Sequence, residues 1–259
     1  MAAPAKTNRI KELLTSASAA LKASNWFEAE RLAQHALGLA RRAGEWGMMA
    51  RIILPLMEAR RQRLQAALDC AKAVRVLNTP IMEDMKPEPG VYIVEPPTVG
   101  ADARRLRLAA LRREVPVAVL CREPLTRLKQ VPLVAIGETT VRVRLTPPKK
   151  LEAPDLKWFV AAMSDLGDAA IEMLDAGIDL DRQIDAVLAC LDAVPDHEAL
   201  HQLLIGLCQA ADKQSLTPKA GTAAEDSGEF TAEEAAEAPT GDEPQAPGKP
   251  GKTRRSPTS

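Results

Sequence analysis

VYIVEPPTVGADARRLRLAALRREVPVAVLCRE, residues 91–123, decides the fold. It opens and closes on short apolar runs, 91–95 and 115–123, each with the length and β-branched content of a buried strand. Between them, PPTVG is a turn and 101–114 has helical spacing. Strand, helix, strand in this order predicts a βαβ unit with a parallel pair, because parallel neighbours need a long crossover. The helix carries two apolar stripes, Ala103, Leu106 and Ala110, then Leu108, Leu111 and Val115. A helix packed only on its sheet needs one stripe. The second therefore predicts another cover, with the N-terminal helices as candidates.

Downstream, 131–137 and 139–148 read as two further strands. The second alternates Val141, Val143 and Leu145 with Arg142 and Arg144, the pattern of an edge strand with one solvated face. A small mixed sheet of about four strands results. Upstream, 77–90 is a Pro-rich connector, preceded by apolar periodicity over 9–24 and 26–43 and by a third helix from 46 toward 77. Asn25 and Gly44 are placed as caps of the second helix, and Pro55 as a kink or early break in the third. After 150, three amphipathic stretches (154–177, 179–194 and 196–212) predict an antiparallel bundle. Beyond 212 the composition turns to Ala, Pro, Gly, Thr and Glu, which predicts disorder. The fold class is α+β, mostly helical. The segments are helices 1–76, linker 77–90, α/β module 91–150, acidic bundle 151–212 and tail 213–259.

Hydrophobic residues make up 46% of the 259 but aromatics only 3%, so the core must be close-packed aliphatic helix and sheet. No apolar run approaches the roughly 20 residues of a membrane span, and no leader-like segment opens the chain. No membrane partner is expected. Cys70, Cys121, Cys190 and Cys208 sit in apolar patterns, which predicts buried reduced thiols and a cytoplasmic protein. The preference for Arg over Lys and the abundant Ala suggest a bacterial chain. The net charge of −1 hides an asymmetry. Residues 1–76 carry 13 Lys/Arg against 6 Asp/Glu, whereas 151–212 carry 2 against 13. The basic front and acidic back have opposite charges to pair, within one molecule or between two.

SNWFEAERLAQHALGL, with Trp26 after the turn and Ala29 and Ala36 at small packing positions, resembles the turn and second helix of a tetratricopeptide repeat. Leu13 and Ala17 match the large and small positions of the first helix. Ser16, Ala20, Ala33 and Arg41 depart from the pattern. The resemblance covers about residues 8–43 and extends more loosely to 70. It implies a helical hairpin and a protein-binding role. One and a half repeats cannot bury both faces, so they must dock on the rest of the chain or on another. Trp26 and Trp46 read first as packing residues. With Arg60 and Arg61 they are also the candidates for a partner surface.

His197-Glu198-x-x-His201 is the H-E-x-x-H pattern, in which one helical turn brings two imidazoles to a zinc ion. Pro195 leaves the motif only a helix's first turn, and no third ligand lies at metzincin or gluzincin spacing. The sequence reading therefore assigns no metal and no cofactor. His197, His201 and Cys208 are the set that a zinc site would use. The 98–105 turn is the other candidate, with Thr98, Gly100, Arg104 and Arg105 at a helix N-terminus able to receive an anion. Nucleic acid is disfavoured, because base-stacking aromatics are scarce and the C-terminal half is acidic. Catalysis is not expected. The leading expectation is a non-enzymatic protein-interaction or scaffold protein that binds another protein or itself. The alternative is a domain binding an anionic small ligand or nucleotide at 98–105, and the third reading is a zinc-dependent hydrolase.

Overall fold

The computed structural model describes residues 3–216 apart from Glu83. In chain order the elements are α1 (Ala3–Lys22), α2 (Trp26–Ala43), α3 (Trp46–Cys70), β1 (Arg75–Leu77), β2 (Gly90–Val94) and α4 (Gly100–Arg112). There follow β3 (Val117–Arg122), β4 (Val131–Ile136), β5 (Thr140–Leu145), α5 (Leu156–Glu172), α6 (Leu180–Ala193) and α7 (Glu198–Leu216). The helices bury the faces that their apolar spacing marks. Ile10, Leu13 and Ala17 are buried on α1, and Ala29, Ala33, Ala36 and Ala40 on α2. Gly44 ends α2 in the left-handed region at φ 67°, and its N–H reaches Ala40 O and Arg41 O. Asn25 holds the N-cap position but makes no capping bond with its side chain. α3 continues through Pro55 and stops at Cys70, short of the expected 77. α5 ends at Glu172 rather than at Gly177.

The sheet order is β1-β2-β3-β4-β5. The β1–β2 and β2–β3 pairs are parallel, and β3–β4 and β4–β5 are antiparallel. The βαβ unit is therefore β2-α4-β3, and the sheet has five strands instead of four. The extra strand, β1, falls where a helix end and a linker were expected. Its three residues carry no alternation, and pairing with Tyr92, Ile93 and Val94 is what makes them a strand. Between β1 and β2 the described residues form a crossover without a helix. Ile81 from this crossover packs in the same cluster as α4, so both parallel connections run over one face, as a single handedness requires.

Two apolar layers cover the sheet. On one face Tyr92, Val94, Cys121 and Val134 meet Ala103, Leu106 and Ala110 of α4. On the other, Ile93, Leu120, Leu133 and Val141 join the large core shared by the helices. α3 is the hub, in contact with α2, α7, β2 and β3. The N-terminal helices therefore dock on their own chain, with α7 packed against α3. The second stripe of α4 is half-buried. Leu108, Leu111 and Val115 border a space of about 50 Å³ shared with Glu30 and Gln34 of α2 and Leu191 of α6.

Opposite charges pair inside the chain. Arg41 lies 4.9 Å over the Trp46 ring and bonds Asp185 at 2.7 Å and Asp181 at 3.0 Å. α7 runs to Leu216, so 213–216 are helical, and the rest of the expected disordered tail lies outside the described residues. None of the described helices is long and apolar enough to cross a membrane. All four cysteines are free. Cys121, Cys190 and Cys208 are buried, whereas Cys70 at the end of α3 is exposed, contrary to expectation.

Candidate functional site

β3 and β4 have six residues each but pair in only two rows, Cys121↔Val134 and Arg122↔Leu133. The next rows in register, Leu120 with Ala135 and Val119 with Ile136, are not joined. The cause lies at the turn after β4. Glu138 N donates to Asp192 Oδ2 at 2.9 Å, and Arg104 Nη2 reaches the same oxygen at 2.7 Å. Arg107 adds bonds to the carbonyls of Asp192 at 2.5 Å and Ala193 at 3.3 Å. The end of β4 and the start of α4 are thus tied to the C-terminus of α6, whose unpaired carbonyls favour cations. That tie draws β4 away from β3.

A cavity of about 550 Å³ fills the gap. Its walls are the four unpaired strand residues, Gly100 and Ala103 of α4, Val160 and Met163 of α5, Leu64 and Leu68 of α3, and the segment 193–199. Most of the lining is aliphatic, and no Phe, Tyr or Trp contributes. Polar groups come from Arg104, Arg107, Ser164, Asp168, Asp196, His197, Glu198 and Gln202. Burial holds the Arg107 guanidinium below its ordinary pKa, against the pull of Asp196 and Asp192. Arg104 Nε is buried without a hydrogen-bond partner.

Beside the cavity lies a buried ionic network. Glu30 of α2 accepts from Arg60 Nε at 2.9 Å and from Arg63 Nε at 3.0 Å, and is 2% exposed. Arg63 also reaches Asp196 at 2.5 Å and Val117 O at 3.4 Å. Arg60 bonds His201 Nε2 at 3.1 Å and Pro195 O at 3.4 Å. Burial alone pushes Glu30 up, but the guanidiniums of Arg63 and Arg60 outweigh it and hold the carboxyl below its usual range. The network joins α2, α3, β3 and the start of α7.

This network determines the state of His201. An arginine only donates, so Nε2 must accept, and Nδ1 carries the proton that it gives to His197 O at 2.9 Å. Burial, with Arg60 beside it, pushes the His201 pKa down from 6.5 to about 4. Between those values the unfolded chain binds a proton that the folded chain refuses. Stability from this group is therefore complete above pH 6.5 and falls as the pH drops toward 4, by roughly 3 kcal/mol for His201 alone. Glu30 acts in the same direction, since its depressed pKa also removes stability on acidification. Urea unfolding across this window should show that loss, with a shallower slope in His201→Gln. Equal slopes would deny His201 the role.

The H-E-x-x-H residues do not form a ligand pair. α7 begins at Glu198, so His197 precedes the helix instead of standing in its first turn. Its ring lies against Gly167 of α5, where a Cβ would stand 2.1 Å from Nδ1. Nε2 is 3.4 Å from Asp168 Oδ1 and lacks a hydrogen-bond partner. Burial lowers the His197 pKa. Cys208 lies in the large core, with burial pushing its thiol up to about 12. Among the described residues no three His, Cys, Asp or Glu side chains gather as metal ligands. Ser164 also lines the cavity.

Of the 98–105 candidates, only Gly100 and Arg104 line the cavity. Thr98 is buried, with its hydroxyl on Glu95 O. Arg105 turns to Asp102 at 2.5 Å and to Ile81 O at 3.2 Å. The Asp102 carboxylate takes Val99 N at 3.0 Å, so the helix start supplies its own anion. The partner-surface candidates are also dispersed. Arg60 is 7% exposed inside the network, Trp46 packs on the core under Arg41, Arg61 is exposed and paired with Glu58, and Trp26 is half-buried. Glu30, Arg63 and Arg107 were not singled out from the sequence. The signal was charge on an apolar face: Arg60 and Arg63 continue the α3 stripe of Leu56 and Ala67. Comparison with known protein families, curated proteins and solved structures finds no match to this chain.

Proposed function

We propose that this chain is a non-catalytic binding protein whose ligand is a small aliphatic molecule with one polar, hydrogen-bond-accepting end. The observation that carries this reading is the separation of β3 from β4 after two rows, with an aliphatic cavity of about 550 Å³ in the gap. Pockets of this size with apolar walls and a few polar groups are the usual form of a small-molecule site. Without aromatic walls, a planar base or ring has nothing to stack on. An acceptor on the ligand would meet the guanidinium donors that Arg104 and Arg107 bring to the lining. Binding is favoured over catalysis because the strongest polar groups at the site are committed: Asp196 to Arg63, Arg104 to Asp192, and Arg107 to the carbonyls of Asp192 and Ala193. A cytoplasmic setting belongs to the same proposal and rests on the four free cysteines.

The test uses decanoate, decanol and ATP as probes with the full chain. A ligand at about 100 times its Kd stabilises by about 2.7 kcal/mol, which raises Tm by roughly 5 °C or more in a chain of this size. We expect that rise with decanoate, a smaller one with decanol and none with ATP. Ala135→Trp, which fills the gap, should abolish it. No rise with either aliphatic probe, or a rise that survives Ala135→Trp, sinks the proposal. The scaffold reading retains one specific support, the outer edge of β5, which no strand among the described residues pairs with.

A further inference from the structure

β5 is the last strand of the sheet, and among the described residues no strand pairs with its outer side. Its neighbour reveals which backbone groups face outward. Pro132 gives its carbonyl to Glu123 N, just beyond β3, at 2.9 Å. The Pro132↔Arg144 row is therefore not hydrogen-bonded between β4 and β5, and the N–H and C=O of Arg144 point away from β4. The same alternation turns the Arg142 backbone outward. Thr146 continues the series, and its carbonyl accepts Trp158 Nε1 at 3.0 Å, which closes the open edge at that end.

α5 runs beside this edge. The groove between them measures about 600 Å³, with Val143, Leu145 and Ala162 in its lining. Along its α5 side stand three exposed carboxylates, Asp165, Asp168 and Glu172. An open strand edge is a template for another chain, and a groove beside it selects alternate side chains.

We propose that this groove takes an extended segment of another protein, added to β5 as a sixth strand, with Lys or Arg at the alternate positions that face α5. Backbone groups of Arg142 and Arg144 hold the segment, and the three carboxylates choose its charge. The other side chains of the segment lie beside Arg142 and Arg144, which repel further basic residues and accept neutral or acidic ones. In one register the same two arginines disfavour a second copy of this chain. Antiparallel β5–β5 pairing about a two-fold centred on Val143 sets Arg142 of each copy against Arg144 of the other.

The experiment titrates the full chain against fluorescent, end-blocked peptides. One alternates Lys and Thr, one alternates Glu and Thr, and one holds the same Lys and Thr in two blocks. The alternating Lys–Thr peptide should bind saturably, and the other two at least about tenfold more weakly. Arg144→Pro removes an outward N–H at an edge position where proline is tolerated, and should cost a similar factor. Asp165→Lys with Glu172→Lys, on the exposed face of α5, should do the same and decides the question alone if the proline variant does not fold. Equal binding of the block peptide, or binding unchanged in the folded variants, would reduce the effect to general charge attraction and overturn the proposal. So would a dimer of the full chain in sedimentation that Arg144→Pro dissociates, since the edge would then belong to a second copy.

Discussion

Glu30→Ala should lower the unfolding free energy by about 3–5 kcal/mol, the usual cost of removing one partner from a buried ion pair. Among the described residues Glu30 is the only acceptor for the Nε of both Arg60 and Arg63. Without it, two guanidiniums stay desolvated. Arg63 keeps Asp196, but Arg60 is left with a histidine nitrogen and a carbonyl, neither of which carries a charge at neutral pH. A loss of this size is a large part of the stability of an ordinary domain, about 5–15 kcal/mol. Glu30→Gln preserves shape and one acceptor, so it should cost less and isolate the charge. Denaturant unfolding at pH 7 decides the point. A Glu30→Ala midpoint close to that of the parent would mean that water or relaxation rescues the arginines.

Gly137→Ala should come next, near the upper end of the ~1–3 kcal/mol typical of overpacking. A Cβ there would stand 2.4 Å from Ala193 N and 2.7 Å from Asp192 C, backbone atoms that no side-chain rotation can move aside. The β4–β5 turn would have to lift off α6, and Glu138 N and Arg104 would lose their shared hold on Asp192. The same hold keeps β4 off β3, so the variant should also weaken aliphatic ligand binding in the assay for the cavity. Unfolding and ligand titration together check this. A variant within about 0.5 kcal/mol of the parent, a surface-like effect, would show that the turn has room that the geometry denies.

The helices and the βαβ unit were legible because their signals are local. Ala29, Ala33, Ala36 and Ala40 mark the face of α2 whatever covers it, and the apolar runs of β2 and β3 flank a helix long enough to cross over. The alternation of Arg142 and Arg144 with valines identified an edge strand, and β5 is at the edge. The candidate site was far less legible. H-E-x-x-H pointed to the right neighbourhood with the wrong chemistry: His197 does border the cavity, but His201 faces Arg60 from the other side of the helix start. Gly100 and Arg104 line the cavity as walls of a sheet opening, whereas Thr98 and Arg105 serve the turn itself.

By itself the sequence determined the seven described helices, the four longer strands and which of their faces are apolar, since both depend on residues within a turn or two of one another. Only the tertiary structure decided that 75–77 is a strand, that α7 packs against α3, and that Glu30 meets two arginines about thirty residues away. It also decided that β3 and β4 part company. Each of these is set by contact between distant segments, where one carboxylate or one glycine selects among packings that local periodicity leaves equal.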